Sequence, residues 1–171
     1  IDIFHELGDV KGVIALLNAL AVVERLQGNW AAAQTWHERS LAAAREAGDR
    51  AAAAAVLSNL ADVVSAQGDE VAARRLFEEA VAEFRDLGDH RGIAWSLNHL
   101  GDVARAGGHN AEARRRYEEA AQAFRAQGDP WGTARTCADL GELASEQQDY
   151  PAALANFEEA LQLFSTLGHR R

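Results

Sequence analysis

Three glutamate pairs, six histidines and one cysteine are the residues of this chain best suited to chemistry. Glu78-Glu79, Glu118-Glu119 and Glu158-Glu159 could act as paired carboxylates in acid and base work. The first two pairs stand beside Arg74-Arg75 and Arg114-Arg115-Arg116, at the spacing of solvated helix ion pairs worth roughly a few tenths of a kcal/mol each. His5, His37, His90, His99, His109 and His169 contain no i, i+4 pair, so a helical zinc pair is not formed. Cys137 falls 40, 80 and 120 residues after Leu97, Leu57 and Leu17, and reads as a small buried hydrophobe, not a nucleophile. Lys11 follows Val10 and precedes Gly12, which is no phosphate loop, and Gly107-Gly108 lacks the strand such a loop needs. No catalytic residue, no metal ligand set and no cofactor is expected.

Composition narrows the field further. The net charge is −9 at pH 7 over 171 residues, so the chain repels phosphate backbones and nucleic acid is not an expected partner. No apolar run approaches the roughly 20 residues that cross a bilayer, so no membrane is expected either. A single cysteine precludes an internal disulfide and suits a reducing cytoplasm. Lys11 is the sole lysine, and the excess of arginine and alanine points to a GC-rich bacterial genome. Alanine abundance and only two prolines, Pro130 and Pro151, predict an all-helical chain.

The elements that would position any site are set by a repeat. Gly8-Asp9, Gly48-Asp49, Gly88-Asp89 and Gly128-Asp129 recur every 40 residues, and Gly168-His169 closes the series. Half-way marks stand at Gly28-Asn29, Gly68-Asp69, Gly108-His109 and Gln148-Asp149. Each mark joins a residue able to end a helix in the left-handed conformation to one able to cap the next helix. Each unit thus reads as a first helix, a tight turn, a second helix and a tight turn. The units are 9–48, 49–88, 89–128 and 129–168; residues 1–8 read as the end of a preceding second helix, and 169–171 as the start of a truncated further unit. In the first unit the helices are expected near Val10–Leu26 and Trp30–Ala47. The second helix of the last unit keeps Leu154, Phe157, Leu161 and Phe164, as if another unit followed.

Columns across the units agree. Leu20, Leu60, Leu100 and Leu140 form one, Ala33, Ala73, Ala113 and Ala153 a second, and His37, Phe77, Tyr117 and Phe157 a mostly aromatic third. Leu100-Gly101, Ala113, Tyr117 and Ala120 with their counterparts resemble the tetratricopeptide repeat, over essentially the whole chain. The usual repeat is about 34 residues; the longer unit here is similar to the long-helix variety of MalT-type bacterial regulators and of peptide-binding polarity adaptors. The resemblance implies a right-handed superhelical α-solenoid of antiparallel helix pairs. His37, Ser40 and Gln148 depart from the pattern and suggest locally looser units.

The first helices carry a second stripe that does not read as core. It holds Trp95, Asn98, Asp102 and Arg105 in the third unit, with Asn18, Arg25, Asp62, Arg135 and Glu142 at equivalent positions and Asn59, His99 and Asp139 in a neighbouring column. In the family this chain resembles, such columns line a concave groove, which implies peptide recognition. Asn can pair with both polar groups of an extended backbone, and Trp95 offers a rigid apolar anchor. The acidic column Asp62, Asp102, Glu142 favours a partner with Arg or Lys. On this reading Trp95 and Asn98 could be truncated without loss of helicity or melting temperature. The expected function is a non-enzymatic protein-interaction module, the sensor or scaffold part of a larger bacterial regulator. The alternatives are a spacer or self-association module, and a small-molecule effector domain.

Overall fold

The computed structural model describes residues 9–168. The expectations for residues 1–8 and 169–171, and for His5 and His169, lie outside the described residues. Among the described residues eight helices run in chain order: α1 (Val10–Leu26), α2 (Trp30–Glu46), α3 (Arg50–Ala66), α4 (Glu70–Leu87), α5 (His90–Ala106), α6 (Asn110–Ala126), α7 (Pro130–Glu146) and α8 (Tyr150–Gly168). No strand occurs among the described residues, and no described helix is long and apolar enough to cross a membrane.

The turn chemistry works as the residue types dictate. The side chains of Asp9, Asp49, Asp69 and Asp89 accept hydrogen bonds from the backbone N–H three residues on, and Asp129 accepts from Trp131 and Gly132. At the first turn Gly28 adopts φ +80°, so its N–H donates to Arg25 and the Asn29 N–H to Glu24, satisfying carbonyls that the ending helix leaves free. Gln148 holds the same left-handed conformation at φ 62° without a glycine's freedom. The departure from the pattern therefore leaves the turn's geometry intact and adds strain.

The chain divides into two compact units, one ending at Gly88 and one beginning at Asp89. In the first, α1 packs on α2, α2 on α3, α3 on α4, and α1 also meets α3. The second repeats this plan with α5–α8, and α5 meets α7. Within each unit the first helices touch each other, while the second helices are bridged by long side chains, Arg45 to Glu79 and Arg125 to Glu159. The pairs fit because small residues face rings. A Cβ on Gly101 would lie less than 3.0 Å from Tyr117 ring carbons, and one on Gly132 would meet Phe124 as closely. His37 and Ser40 are buried, and Ser40 donates to the Ile14 carbonyl at 3.0 Å.

Candidate functional site

The twelve residues singled out on the first helices fall into two groups, one in each unit. In the first unit Asn18 and Asn59 are half-buried, and Asn59 Nδ2 donates to Asn18 Oδ1 at 3.1 Å. Arg25 is exposed in the last turn of α1, and Asp62 is half-buried on α3. Beside Asn18 a cleft of about 240 Å³ opens between α1 and α3, lined by Lys11, Ile14, Ala15, Asn18, Asp49, Ala52, Ala55 and Val56. Ala15 and Ala55 hold stripe positions, and their small side chains leave this space open.

In the second unit the polar residues of the stripe fall into three bonded groups. Asn98 Nδ2 donates to Asp139 Oδ2 at 2.9 Å and to Thr136 Oγ1 at 3.3 Å. Arg135 Nε donates to Asp139 Oδ1 at 3.2 Å. The Tyr117 hydroxyl donates to Asp102 Oδ1 at 2.7 Å, and His99 Nδ1 lies 3.5 Å from Asp102 Oδ2. Arg105 pairs with Glu142 at 2.7 Å and reaches toward Glu146 at 3.9 Å. Trp95 rests edge-on against Phe124, with ring centroids 4.8 Å apart, and lies 5.3 Å from Trp131.

Two expectations need correction. Asn98 and Asp139 are each only 2% exposed, so they belong to the interior and not to an open face. The reason is that α5 and α7 touch along this line, and a polar residue caught there must find its partner across the contact. Truncating Asn98 would therefore remove a buried hydrogen bond, which argues against the expectation that it would leave the fold untouched. Trp95 is half-buried and packs on Phe124, so it is a part of the wall as well as a surface.

The charges follow from these contacts. Burial pushes the Asp139 carboxyl upward, and the Asp102 charge adds to this against the Asn98 and Arg135 hydrogen bonds. Burial would also raise Asp102, but hydrogen bonds from His99 and Tyr117 outweigh it and hold this carboxyl below its usual value. The Tyr117 hydroxyl is raised by burial and by Asp102, which keeps it a donor. Cys137 is buried and its thiol is pushed up to about 11, first by burial and then by Glu159, which disfavours the nucleophilic thiolate. Among the described residues no group of three His, Cys, Asp or Glu side chains could hold a metal ion.

Trp131, 52% exposed beside Trp95, is a surface residue that column reading overlooked. Its counterparts Lys11, Ala51 and Arg91 share no chemistry, so only its spacing before Arg135 and its lack of an apolar column could have marked it.

Comparisons with known proteins bear on the same features. A family model described as Tetratricopeptide repeat matches residues 12–86, 71–126 and 92–166. No curated protein matches the chain significantly. Among solved structures, BtubC (BKLC) from P. vanneervenii is 21% identical with a TM-score of 0.80, over 91% of this chain and 64% of that one. A Rap protein complexed with Competence and Sporulation Factor is 13% identical with a TM-score of 0.84, over 92% of this chain and 44% of that one. The apo form of RapI is 16% identical with a TM-score of 0.81, over 94% and 45%. This chain thus spans less than two thirds of the first of these structures and under half of the two Rap structures. At these identities the likeness is one of fold: an all-α solenoid of helix pairs.

Proposed function

The chain belongs to the tetratricopeptide repeat family, and on that premise we propose that it is a non-enzymatic interaction module whose first helices bind an extended segment of a partner protein. We place it with the long-helix variety, since its marks recur every 40 residues, and assign it to the sensor or scaffold part of a bacterial regulator. The observation that carries the reading is the face shared by α5 and α7. His99, Asp102, Arg105, Arg135 and Glu142 keep solvent access there, yet each is held by a neighbour. A face ordered before binding loses less side-chain entropy when a partner arrives. The Rap protein solved complexed with Competence and Sporulation Factor shows that a chain of this fold can take a ligand. The Asp102 and Glu142 carboxylates favour Arg or Lys in that segment.

The test is a peptide-display selection on the full chain, followed by backbone amide shifts on adding the selected peptide. Shifts concentrated on α1, α3, α5 or α7 support the reading. Shifts confined to α2, α4, α6 and α8 overturn it.

A specific observation favours a second reading, self-association with another copy. Leu154, Phe157, Leu161 and Phe164 of α8 are exposed, Leu161 by 67%, whereas Phe77, Tyr117 and Phe124 are buried at the equivalent positions of other second helices. On α1, Val23 is 49% exposed where Val63, Val103 and Leu143 are buried. The α8 face of one copy would meet the α1 face of the next, a head-to-tail contact. Light scattering that stays at one monomer's mass with rising concentration excludes it.

A further inference from the structure

The two units carry opposite solutions at one place. In the second unit an aromatic cluster fills the junction of α5 and α7: Trp95, Phe124, Trp131 and His99, with Gly132 making room for Phe124. Eighty residues earlier the same positions read Ala15, Ala44, Ala51, Ala19 and Ala52. Every member of the cluster is an alanine in the first unit. The helix plan is unchanged, since α1 meets α3 as α5 meets α7. Of these alanines Ala15 and Ala52, the counterparts of Trp95 and Gly132, line the cleft of about 240 Å³, together with Ile14, Ala55 and Val56.

An apolar cleft with a polar rim is the ordinary form of a binding pocket. Lys11, Asn18 and Asp49 form that rim here. The Asn18 amide accepts from Asn59 through its oxygen, and its own NH2 group adds two donors to the rim. The internal repeat also states what shape the site takes. Trp95 is the chain's own side chain at the position of Ala15, with its ring edge-on to Phe124 of α6 and 5.3 Å from Trp131 of α7.

We propose that the cleft between α1 and α3 is a socket for an aromatic side chain, indole in the first instance, from the partner segment. The inference rests on the reading that first helices bind a partner, and extends it to the first unit and to one anchor chemistry. Rim donors of Lys11 and Asn18 suit backbone carbonyls on either side of that residue. An aromatic anchor sunk in a pocket commonly carries much of a segment's affinity.

The experiment titrates the full chain with N-acetyl-tryptophanamide and, separately, N-acetyl-alaninamide, following alanine and valine methyl signals. Saturable shifts at Ala15, Ala52, Ala55 and Val56 with the indole probe only are expected. The variant Ala15→Trp, which installs the counterpart of Trp95, should weaken probe binding at least about tenfold, a 1.4 kcal/mol effect. It should melt no lower than the parent chain. Absence of saturable shifts in the cleft, or unweakened binding by Ala15→Trp, overturns the proposal. The broader reading fails separately. A selected peptide that shifts α5 and α7 while the cleft ignores indole sinks the socket alone, and indole binding without any peptide binding sinks the segment reading alone.

Discussion

At His37 the column that elsewhere carries Phe77, Tyr117 and Phe157 holds an imidazole. It is 1% exposed and its Nδ1 has no hydrogen-bond partner. Tyr117 solves the same problem with Asp102, whose counterpart in the first repeat is Val22. Burial, and then Arg25, lower His37 from its usual 6.5 to about 4. Because the folded value is depressed, the unfolded chain binds more protons between those two values. Stability is full above pH 6.5 and declines as pH falls toward 4. His37→Phe should raise stability by about 1–2 kcal/mol at pH 7 and flatten the pH dependence in that window, as read from thermal melts at pH 7 and 5. Asp102 titrates in a separate window. Its lowered value contributes stability above the usual carboxylate pKa, lost only under stronger acid. Asn98 gives the second prediction at this scale. Asn98→Ala removes the shorter of the two donors to buried Asp139, leaving Arg135, and should cost roughly 1–3 kcal/mol by urea titration. An unchanged midpoint would return Asn98 to the open face that its column suggested.

For whole helices the decisive fits are between a ring and a missing side chain. Gly132→Ala would push a methyl into Phe124, so it should destabilise by about 1–3 kcal/mol; a change within 0.5 kcal/mol would show that α6 and α7 separate easily. Gln148→Gly removes the strain of a left-handed residue and should stabilise by about 0.5–1 kcal/mol. The helices themselves were legible in the sequence. The Gly-Asp marks predict α1 at Val10–Leu26, as found, and place α2 within a residue of its end at Glu46. Columns read one helix at a time, however, and cannot show which polar residues meet across a contact. That is why Asn98 and Asp139 looked like surface residues, and why the Tyr117 hydroxyl, hidden in an aromatic column, was missed as the anchor of Asp102. Trp131 was missed for the opposite reason. It has no column to belong to, and only the fold brings it to Trp95.

On the scale of the whole molecule, one plan is used twice with different surfaces. The unit ending at Gly88 keeps a cleft lined in part by Ala15, Ala52 and Ala55, and the unit beginning at Asp89 carries Trp95 at the position of Ala15 and paired charges on the same first helices. Each unit's second helices instead present exposed ion pairs, Arg45 with Glu79 in the first and Arg125 with Glu159 in the second. On the proposed function the division of labour is between first helices that recognise and second helices that support. Charge reversal on each surface separates the two roles. Glu142→Lys changes an exposed carboxylate of α7, and Glu118→Lys one of α6. Each should alter stability by no more than about 1 kcal/mol. The most direct measurement is the calorimetric affinity of a selected peptide for the parent chain and both variants. The account predicts a loss of about tenfold or more for Glu142→Lys and none for Glu118→Lys. Equal affinity for Glu142→Lys with a loss for Glu118→Lys would contradict it.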